Sequence, residues 1–442
     1  MRALRSFLVL ALALPMAGTA APATAATAST ADTAAASSYV KVGYFTQWGI
    51  YRRNFTVKNV QTSGMADKLT HINYAFANVG ADGTCFEANA AGVGDAWADY
   101  QKRFKASESV DGVGDPYDTP LAGNFNQLRK LKAMHPGLKV QLSIGGWTWS
   151  KYLSDAALTP ASRQAMVASC IDMFLKGNLP LIGTSTQGGP GSGYGVFDGF
   201  DIDWEWPGSE GNVGNVVRPE DKANFVALLA EFRNQLTAYG SQVGRTFSLT
   251  AFLPADPVKV DAGIDVANAL SYLDFATVQG YDLHGAWEPT SNHQGQLYSP
   301  AADPAPQRYS ADQAIQYYLS HGAPATKLVL GIPYYGRGWA GVSSTNNGLY
   351  QTSTGPARGT YEDGIDDYKK VIAKSGAVFH DPVAGAAWKL SVSSFWSYDD
   401  PTTIAQKTAY VKSTGLGGTM VWSLDGDTAA GELTTAISTG LA

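Results

Sequence analysis

A short acidic run carries the strongest chemical signal in the sequence. The segment DGFDIDWEWP holds Asp198, Asp201, Asp203 and Glu205 within eight residues. Because successive side chains of a strand point to opposite faces, Asp201, Asp203 and Glu205 are predicted to share one face, spaced roughly 7 Å apart. Burial and mutual repulsion both favour retention of a proton by one of these carboxyl groups. A carboxyl group that stays protonated near neutral pH can serve as a general acid.

Two other interpretations of this run are disfavoured. A solvated edge strand would not place Phe200, Ile202 and Trp204 on the opposite face. A metal-binding acid cluster is less consistent with carboxylates on a strand that has no neighbouring histidine. We therefore predict a catalytic site that needs neither a metal ion nor a cofactor. Asp198 breaks the alternation, and a structural role at the strand entry and a chemical role both stay open for it.

The elements that must position these acids follow a repeating pattern. Short β-branched or apolar runs alternate with segments of helical period, such as residues 125–134 and 222–236. The eight runs begin at Tyr39, Thr70, Leu138, Phe197, Thr246, Asp274, Lys327 and Gly417. This alternation is typical of parallel βαβ units, and right-handed crossovers favour their closure into an α/β fold, a (β/α)8 TIM barrel. Glu205 then falls at the carboxyl end of the fourth strand, the end where barrel enzymes hold their chemistry.

Two connections are too long for simple barrel loops. One, from Asn78 to Asn124, is rich in glycine and acidic residues. The other, from Trp339 to Trp396, contains helix-like and strand-like pieces of its own, and a structureless loop of that length is uncommon. We therefore predict one catalytic domain over residues 39–442, with a small α+β insertion at about 340–395.

The first residues have the layout of an export signal. Arg2 and Arg5 precede an apolar run from Phe7 to Leu14, and small residues follow it. This layout predicts a secretory signal peptide over residues 1–25 and an Ala/Thr-rich linker over 26–38. The apolar run is too short to span a bilayer, so we expect a secreted, extracellular protein with no membrane partner.

Charge and cysteine content narrow the possible partners. Acidic residues (38) outnumber basic residues (32), and no Lys/Arg cluster occurs, which disfavours binding to nucleic acid. Cys85 and Cys170 are the two cysteines. Export would permit a disulfide between them, but the sequence leaves a disulfide and two free thiols equally open.

Several motifs in order resemble one enzyme family. DGFDIDWEWP resembles the D-G-x-D-x-D-x-E signature of glycoside hydrolase family 18 chitinases. Further segments similar to that family are SIGGWTW from Ser143, GYDLHGAW from Gly280, PYYGRGW from Pro333, GTYEDG from Gly359 and the run from Ser397 through the eighth strand. The resemblance extends from about Val40 to the last residues. It implies a TIM barrel with the α+β insertion of the bacterial type, and hydrolysis of β-1,4 bonds between N-acetylglucosamine units.

The resemblance also implies roles for the acid row. The family is a substrate-assisted exception to the two-carboxylate scheme, so the carbonyl oxygen of the substrate's own N-acetyl group would act as nucleophile, with retention. Glu205 would protonate the glycosidic oxygen. Asp203 would orient the acetamido N–H, and Asp201 would share a proton or hydrogen bond with Asp203. Tyr281 would donate its hydroxyl to the acetamido carbonyl.

Further residues are expected to bind sugar rather than to react. Trp422 would form the floor beneath the distorted sugar, since an indole packs on the apolar face of a sugar ring. Trp147, Trp149, Trp206 and Trp287 follow strand ends and are candidate sugar platforms, although core packing is nearly as plausible for each. Gln279 stands where most family members carry methionine. The remaining candidates are Tyr44, Phe86, Tyr117, Ser143, Gly146, Thr148, Asp282, Arg337 and Glu362.

Two other functions stay open. An endo-β-N-acetylglucosaminidase acting on N-glycans would share the acid row, but the long insertion and many tryptophans favour a groove for a linear polymer. A sugar-binding lectin on the same barrel would typically lack the acid that Glu205 supplies. We therefore expect a chitinase that acts as a monomer on chitin and chitooligosaccharides.

Overall fold

The computed structural model describes residues 39–442. Our predictions of a signal peptide at 1–25 and a linker at 26–38 lie outside the described residues. Within the described part of the chain, no helix combines the length and the apolar character that crossing a bilayer requires.

A closed barrel of eight parallel strands forms the body of the protein. The strands are Val40–Thr46, His71–Val79, Lys139–Gly145, Gly199–Asp203, Ser248–Leu253, Phe275–Val278, Leu328–Pro333 and Gly418–Trp422. Each strand pairs with its neighbours in chain order, and the first strand closes the ring because it pairs with both the second and the eighth. The predicted TIM barrel is confirmed, and each of the eight predicted runs overlaps one barrel strand.

Helices surround the barrel and alternate with its strands. The α-helices are Val57–Thr62, Gly123–Met134, Gly146–Trp149, Leu153–Ala157, Pro160–Cys170, Asp221–Val243, Pro257–Gly263, Val266–Tyr272, Ala311–Ser320, Tyr368–Val371, Pro401–Thr414 and Glu432–Gly440. Wider π-helical turns are Trp97–Gln101 and Ile171–Leu175, and short 3₁₀ helices are Gln47–Ile50, Ala325–Lys327, Thr345–Gly348 and Leu424–Gly426.

The fourth strand divides its side chains between two environments. Phe200 packs on Phe232 with ring centroids 5.6 Å apart, and Trp204 packs on Phe225 at 6.0 Å. Both partners belong to the helix Asp221–Val243, so the apolar face of the strand contacts the helical layer. The acids on the other face therefore point into the barrel, as the alternation predicts.

The segment between the seventh and eighth strands forms a second sheet. Its strands are Tyr335–Ala340, Gly355–Pro356, Ile365–Asp367, Ala377–Asp381, Ala386–Ser391 and Ser394–Tyr398, and all their pairings are antiparallel. The sheet thus begins a few residues before the 340–395 range that the sequence suggested. It has its own apolar core, where Trp339, Trp388 and Phe395 pack together.

The long connection after the second strand consists largely of short strands and turns, and a disulfide attaches it to the helical layer. Its strands are Cys85–Phe86, Asn89–Ala90 and Gly94–Asp95. Cys85 is bonded to Cys170, with Cα atoms 5.1 Å apart. Cys170 ends the helix Pro160–Cys170, so the bond attaches this connection to the helical layer. The question that the sequence left open is thereby answered.

A buried ion pair joins Asp399, just before the helix Pro401–Thr414, to Lys407 within that helix. The Nζ atom of Lys407 lies 2.6 Å from Oδ2 of Asp399, and their side chains are 0% and 3% exposed. Lys407 also donates to the carbonyl oxygen of Gly295 at 2.6 Å. Removing one partner of a buried pair leaves an uncompensated charge, which is strongly destabilising.

We expect Lys407→Met to lower the free energy of unfolding by about 3–5 kcal/mol, measured by denaturant titration. The control is Lys176→Met, which removes an exposed pair with Asp172 and should cost no more than about 0.5 kcal/mol. The double variant Lys407→Met with Asp399→Leu should recover most of the loss, because it removes both charges. Equal effects of the two single variants would contradict this account of the buried pair.

Candidate active site

The acid row lies at the carboxyl end of the barrel interior. Asp201 and Asp203 are the buried inward residues of the fourth strand, which ends at Asp203. Glu205 follows two residues beyond the end of the strand, so its position also depends on the loop. In the neighbouring strands, Ser143 and Thr250 lie level with Asp201. The three predicted acids are thus brought together in the interior of the barrel.

Three hydroxyl groups hold Asp201. Its Oδ2 accepts from the Tyr44 hydroxyl at 2.6 Å and from Ser143 Oγ at 2.8 Å. Its Oδ1 accepts from Thr250 Oγ1 at 2.7 Å. Burial raises the pKa of Asp201, and these hydrogen bonds oppose that rise. The hydroxyl bonds occupy both oxygens, so Asp201 lies in a fixed orientation.

The carboxyl group of Asp203 contacts that of Glu205. The carboxyl groups of Asp203 and Glu205 share a hydrogen bond. The charge of Asp201 also raises the pKa of Asp203. The hydrogen bond to Glu205 orients Asp203 toward the last acid of the row.

The environment of Glu205 favours its protonated form. Burial, followed by the negative charge of Asp282, raises the pKa of Glu205 to about 8. Burial also raises the pKa of Asp203 well above its usual range, and the charge of Glu205 adds to this effect. Two acids in contact cannot readily ionise together, so one proton is retained by the pair. Glu205 can thus carry a proton near neutral pH.

Two polar atoms in or near this pair lack a strong hydrogen-bond partner among the described residues. Oδ1 of Asp203 is buried and accepts no hydrogen bond within residues 39–442. The hydroxyl of Tyr281 contacts Sδ of Met420 at 3.9 Å, and a thioether is a weak acceptor. The buried hydroxyl lies close enough to the acid row for the charges of Asp203 and Glu205 to raise its pKa. A carboxyl group and a hydroxyl group with unused hydrogen-bonding capacity therefore lie near each other.

The backbone around Glu205 is held by two side chains that the sequence did not reveal. The N–H of Glu205 donates to Oγ of Ser150 at 2.9 Å, and Nδ2 of Asn215 donates to the carbonyl oxygen of Glu205 at 3.0 Å. Oγ of Ser150 in turn donates to the carbonyl oxygen of Gly146 at 2.8 Å. Gly146 has a φ of +73°, and a Cβ there would lie 2.6 Å from the Phe76 ring. Gly146 thus serves the site by permitting close packing.

Aromatic rings form one wall of the site around half-buried Trp422. Its ring lies 5.1 Å from the Tyr44 ring, 5.6 Å from Phe76 and 6.3 Å from Trp48. Tyr44 also donates to Asp201, so this wall joins the acid row directly. Trp48 and Phe76 were missed in the sequence because no motif marks them. Both lie at or just beyond the ends of the first two strands.

A second wall carries charge. Nε of Arg337 donates to Oδ1 of Asp282 at 2.8 Å, and the Tyr335 hydroxyl donates to the same oxygen at 2.7 Å. The Arg337 guanidinium also lies 5.0 Å from the ring centre of Trp287, which is 60% exposed. Glu362, exposed on the insertion, acts on Arg337 through its charge. Four predicted residues are thereby brought together on the side of the insertion.

A backbone N–H just beyond the fifth barrel strand orients the side-chain amide of Gln279. Its Oε1 accepts from the N–H of Ala255 at 3.3 Å. This contact identifies the oxygen side of the amide and leaves the NH₂ group as a donor. Gln279 is half-buried at the end of the sixth strand, two residues before Tyr281.

Other predicted residues lie elsewhere or have other roles. Trp206 departs from the expected role of a sugar platform because it is only 3% exposed and packs on Phe252 at 5.5 Å. Phe86 pairs with Asn78 in the hairpin after the second strand, away from the acid row. Tyr117 is 73% exposed and packs beneath the guanidinium of Arg103 at 4.6 Å. Neither Phe86 nor Tyr117 contacts the acids.

Two exposed residues follow the third strand at the rim of the site. Trp147 is 49% exposed, and Thr148 beside it is also exposed. They lie on the short helix Gly146–Trp149, which begins where the strand ends. Their position leaves both side chains accessible to a ligand.

Asp198 has a structural role at the opposite end of the strand. It forms ion pairs with Lys132 at 2.8 Å and Arg245 at 2.9 Å. It also accepts the N–H of Val140 at 2.9 Å, which ties the third strand to the fourth. Of the two roles that the sequence left open, the structure supports the structural one.

An aromatic pocket, which we call the distal pocket, lies beyond Trp48. Its walls include the loop after the first strand, the hairpin Asn89–Asp95 and the helix Gly146–Trp149. The principal lining residues are Gln47, Trp48, Tyr51, Asp95, Trp97 and Trp149. Since Trp48 also contacts Trp422, aromatic surfaces continue from the acid row into this pocket.

Residues 40–427 match the family model described as glycosyl hydrolases family 18. The chain belongs to this family. It is 42% identical over 400 residues to chitinase C of Streptomyces lividans, covering 89% of this chain and 58% of that protein. It is 37% identical to chitinase A1 of Niallia circulans, covering 89% of this chain and 57% of that protein. The chain thus spans about three-fifths of the length of these curated relatives.

Solved structures of family members have the same architecture. The catalytic domain of psychrophilic chitinase B from Arthrobacter TAD20 is 49% identical, with a TM-score of 0.88, covering 92% of this chain and 96% of that one. Chitinase ChiA74 from Bacillus thuringiensis is 33% identical, with a TM-score of 0.77, covering 91% of this chain and 70% of that one. The resemblance inferred from the motifs is confirmed as family 18 membership.

Proposed function

We propose that this protein is a secreted chitinase that hydrolyses β-1,4 bonds of chitin and chitooligosaccharides with retention of configuration. The observation that carries the proposal is the Asp203–Glu205 pair, in which Glu205 has a pKa of about 8 and Asp203 has a buried oxygen without a partner among the described residues. Family membership and the printed names of the relatives support the substrate class. The export signal read from the first residues supports secretion.

In this mechanism, Glu205 is the proton donor to the glycosidic oxygen. Its raised pKa keeps the proton available at neutral pH, and the neighbouring Asp203 can stabilise the charge changes. No second enzymic nucleophile is required: the carbonyl oxygen of the bound N-acetyl group closes on the anomeric carbon as the protonated glycosidic oxygen leaves, forming an oxazolinium ion. Water then attacks the anomeric carbon of this ion and gives a proton to the ionised Glu205, which restores the acid and yields the retained product. Holding the N-acetyl group in position replaces a bimolecular encounter.

Two residues are suited to hold the N-acetyl group. The carboxyl group of Asp203 would accept its N–H, and the Tyr281 hydroxyl would donate to its carbonyl oxygen. Trp422 would support the apolar face of the same sugar, and the continuous aromatic surface to Trp48 would support sugars further along. This arrangement fits a linear oligosaccharide better than a single sugar.

The direct test is incubation of the purified protein with chitohexaose, with products separated by chromatography. The proposal predicts shorter chitooligosaccharides. Deglycosylation of an N-glycoprotein without cleavage of chitohexaose would instead favour an endo-β-N-acetylglucosaminidase. Binding of chitohexaose without cleavage would favour the lectin.

The charge of Lys259 should influence the pH above which activity is lost. Lys259 lies with its Nζ atom 5.3 Å from the ring centre of Trp206, and its positive charge lowers the pKa of Glu205. Because a general acid must be protonated, activity should fall as pH rises past about 8, the pKa of Glu205. We expect Lys259→Met to move this basic limb of kcat/KM to higher pH. Lys259→Arg keeps the charge and is the control; an unchanged limb in Lys259→Met would contradict the assignment.

A further inference from the structure

A second pair of carboxyl groups, Asp99 and Glu87, lies next to the distal pocket and outside the catalytic row. Asp99 is 2% exposed and lies on the π-helical turn Trp97–Gln101, whose first residue lines the pocket. Its side chain hydrogen-bonds to that of Glu87 at the hairpin. The mechanism above uses neither acid, so the burial of Asp99 calls for another explanation.

Asp99 connects the walls of the pocket. Its Oδ2 accepts from Nε2 of Gln47 at 2.7 Å, and its Oδ1 accepts from the hydroxyl of Tyr74 on the second barrel strand. Gln47 lines the pocket beside Trp48, and its carbonyl oxygen accepts from Nδ2 of Asn124 at 3.3 Å. One carboxyl group therefore joins the loop after the first strand, the second strand and the hairpin.

We propose that Asp99 is a positioning residue for the distal pocket: by holding Gln47 and Glu87 it fixes the wall that carries Trp48 and so sets affinity for long oligosaccharides. This inference rests on the proposed function and concerns a part of the site that no catalytic group occupies. Asp99 does not line the pocket itself, so its effect must pass through the groups it holds.

Protonation of Asp99 provides a signature that a purely structural residue would lack. Burial raises the pKa of Asp99 to about 7, and the Glu87 hydrogen bond favours the ionised form of Asp99. Other titratable groups that face it are Tyr51, Tyr74, Asp95 and Tyr100. Hydrogen bonds to an ionised acceptor are the stronger ones, so the contact from Gln47 strengthens as pH rises through about 7.

The test compares a long and a short substrate of the same enzyme. The proposal places the distant sugars of chitohexaose in the distal pocket, whereas nitrophenyl chitobioside reports on the sugar positions next to Glu205. We expect Asp99→Asn to raise KM for chitohexaose about tenfold and to leave KM for the short substrate and both kcat values nearly unchanged. The matched control is Asp82→Asn, an exposed aspartate in the same connection that accepts from Thr84.

The pH dependence gives the second readout. In the parent enzyme, the ratio of the two KM values should shift in favour of chitohexaose between about pH 6 and about pH 8, on either side of the Asp99 pKa of about 7. In Asp99→Asn this ratio should not change with pH. Using the ratio removes the effect of Glu205 ionisation, which acts on both substrates.

A second variant keeps the proposal falsifiable should Asp99→Asn fail to fold. Gln47→Met removes the amide that Asp99 holds and should reproduce the selective loss, and the double variant should be no worse than either single one. Equal losses on both substrates, or a KM ratio like that of Asp82→Asn, would overturn the role of Asp99. Absence of hydrolysis of both substrates by the parent enzyme would instead overturn the proposed function on which this inference rests.

Discussion

Replacing Glu205 with glutamine should reduce kcat on chitohexaose by about 10²–10⁴-fold, which is the contribution that general acid catalysis typically makes to the rate. Glutamine has nearly the same shape but cannot deliver a proton to the glycosidic oxygen. The affinity for chitohexaose should stay within a few-fold, because the aromatic surfaces around Trp422 are untouched. Initial rates and calorimetric binding measure the two quantities.

The control for this variant is Glu210→Gln, which changes an exposed glutamate five residues further along the chain. It should leave kcat within about twofold of the parent enzyme, as expected of a surface substitution. Full hydrolytic activity in Glu205→Gln would show that another group donates the proton. Neither the residue assignment nor the mechanism could then stand.

Asp203→Asn should produce the second largest loss, about 10²-fold or more in kcat, with little change in oligosaccharide affinity. Asp203 shares a hydrogen bond with Glu205 and has a buried oxygen without a partner among the described residues. We therefore expect Asp203 to stabilise mainly the transition state, in which positive charge develops on the sugar. An interaction that strengthens only in the transition state changes kcat more than binding. Asp172→Asn, at an exposed position, is the matched control.

Parallel losses of kcat and affinity in Asp203→Asn would argue against this role. Such a result would mean that Asp203 binds substrate and transition state equally well. Thermal unfolding of the same variant separates a catalytic loss from a folding defect, since Asp203 lies in the barrel interior beside Glu205.

The periodicity of the sequence was sufficient to predict the barrel and the direction of the acid row. Strand alternation placed Asp201 and Asp203 on one face and Phe200 on the other, and the apolar face is the one expected to pack against the helices. Glu205 was less determined. It lies beyond the strand, where Ser150 and Asn215 fix the backbone through contacts that span distant parts of the chain.

The partners of the acids could not be predicted, because they depend on the register between strands. Thr250 reaches Asp201 only because the fifth strand pairs with the fourth in a register that places them level. The sequence alone also does not distinguish the tryptophans that are exposed from those that are buried. Trp206 is covered by Phe252 of the fifth strand, whereas Trp287 stays open beside Arg337.

The distal pocket could not be predicted from the sequence either. Trp48 and Trp97 are distant in sequence, and their approach depends on the closure of the barrel and on the path of the connection after the second strand. The disulfide between Cys85 and Cys170 fixes that path, and its pairing required a distance that the sequence does not contain.

The account depends most on direct participation of the substrate's N-acetyl group, with Glu205 as donor and Asp203 as orienting acid. Time-resolved proton NMR of chitohexaose hydrolysis, recorded before mutarotation equilibrates the products, tests it directly. Retention predicts that the newly formed reducing end appears first as the β anomer. Initial formation of the α anomer would establish inversion and contradict the proposed mechanism.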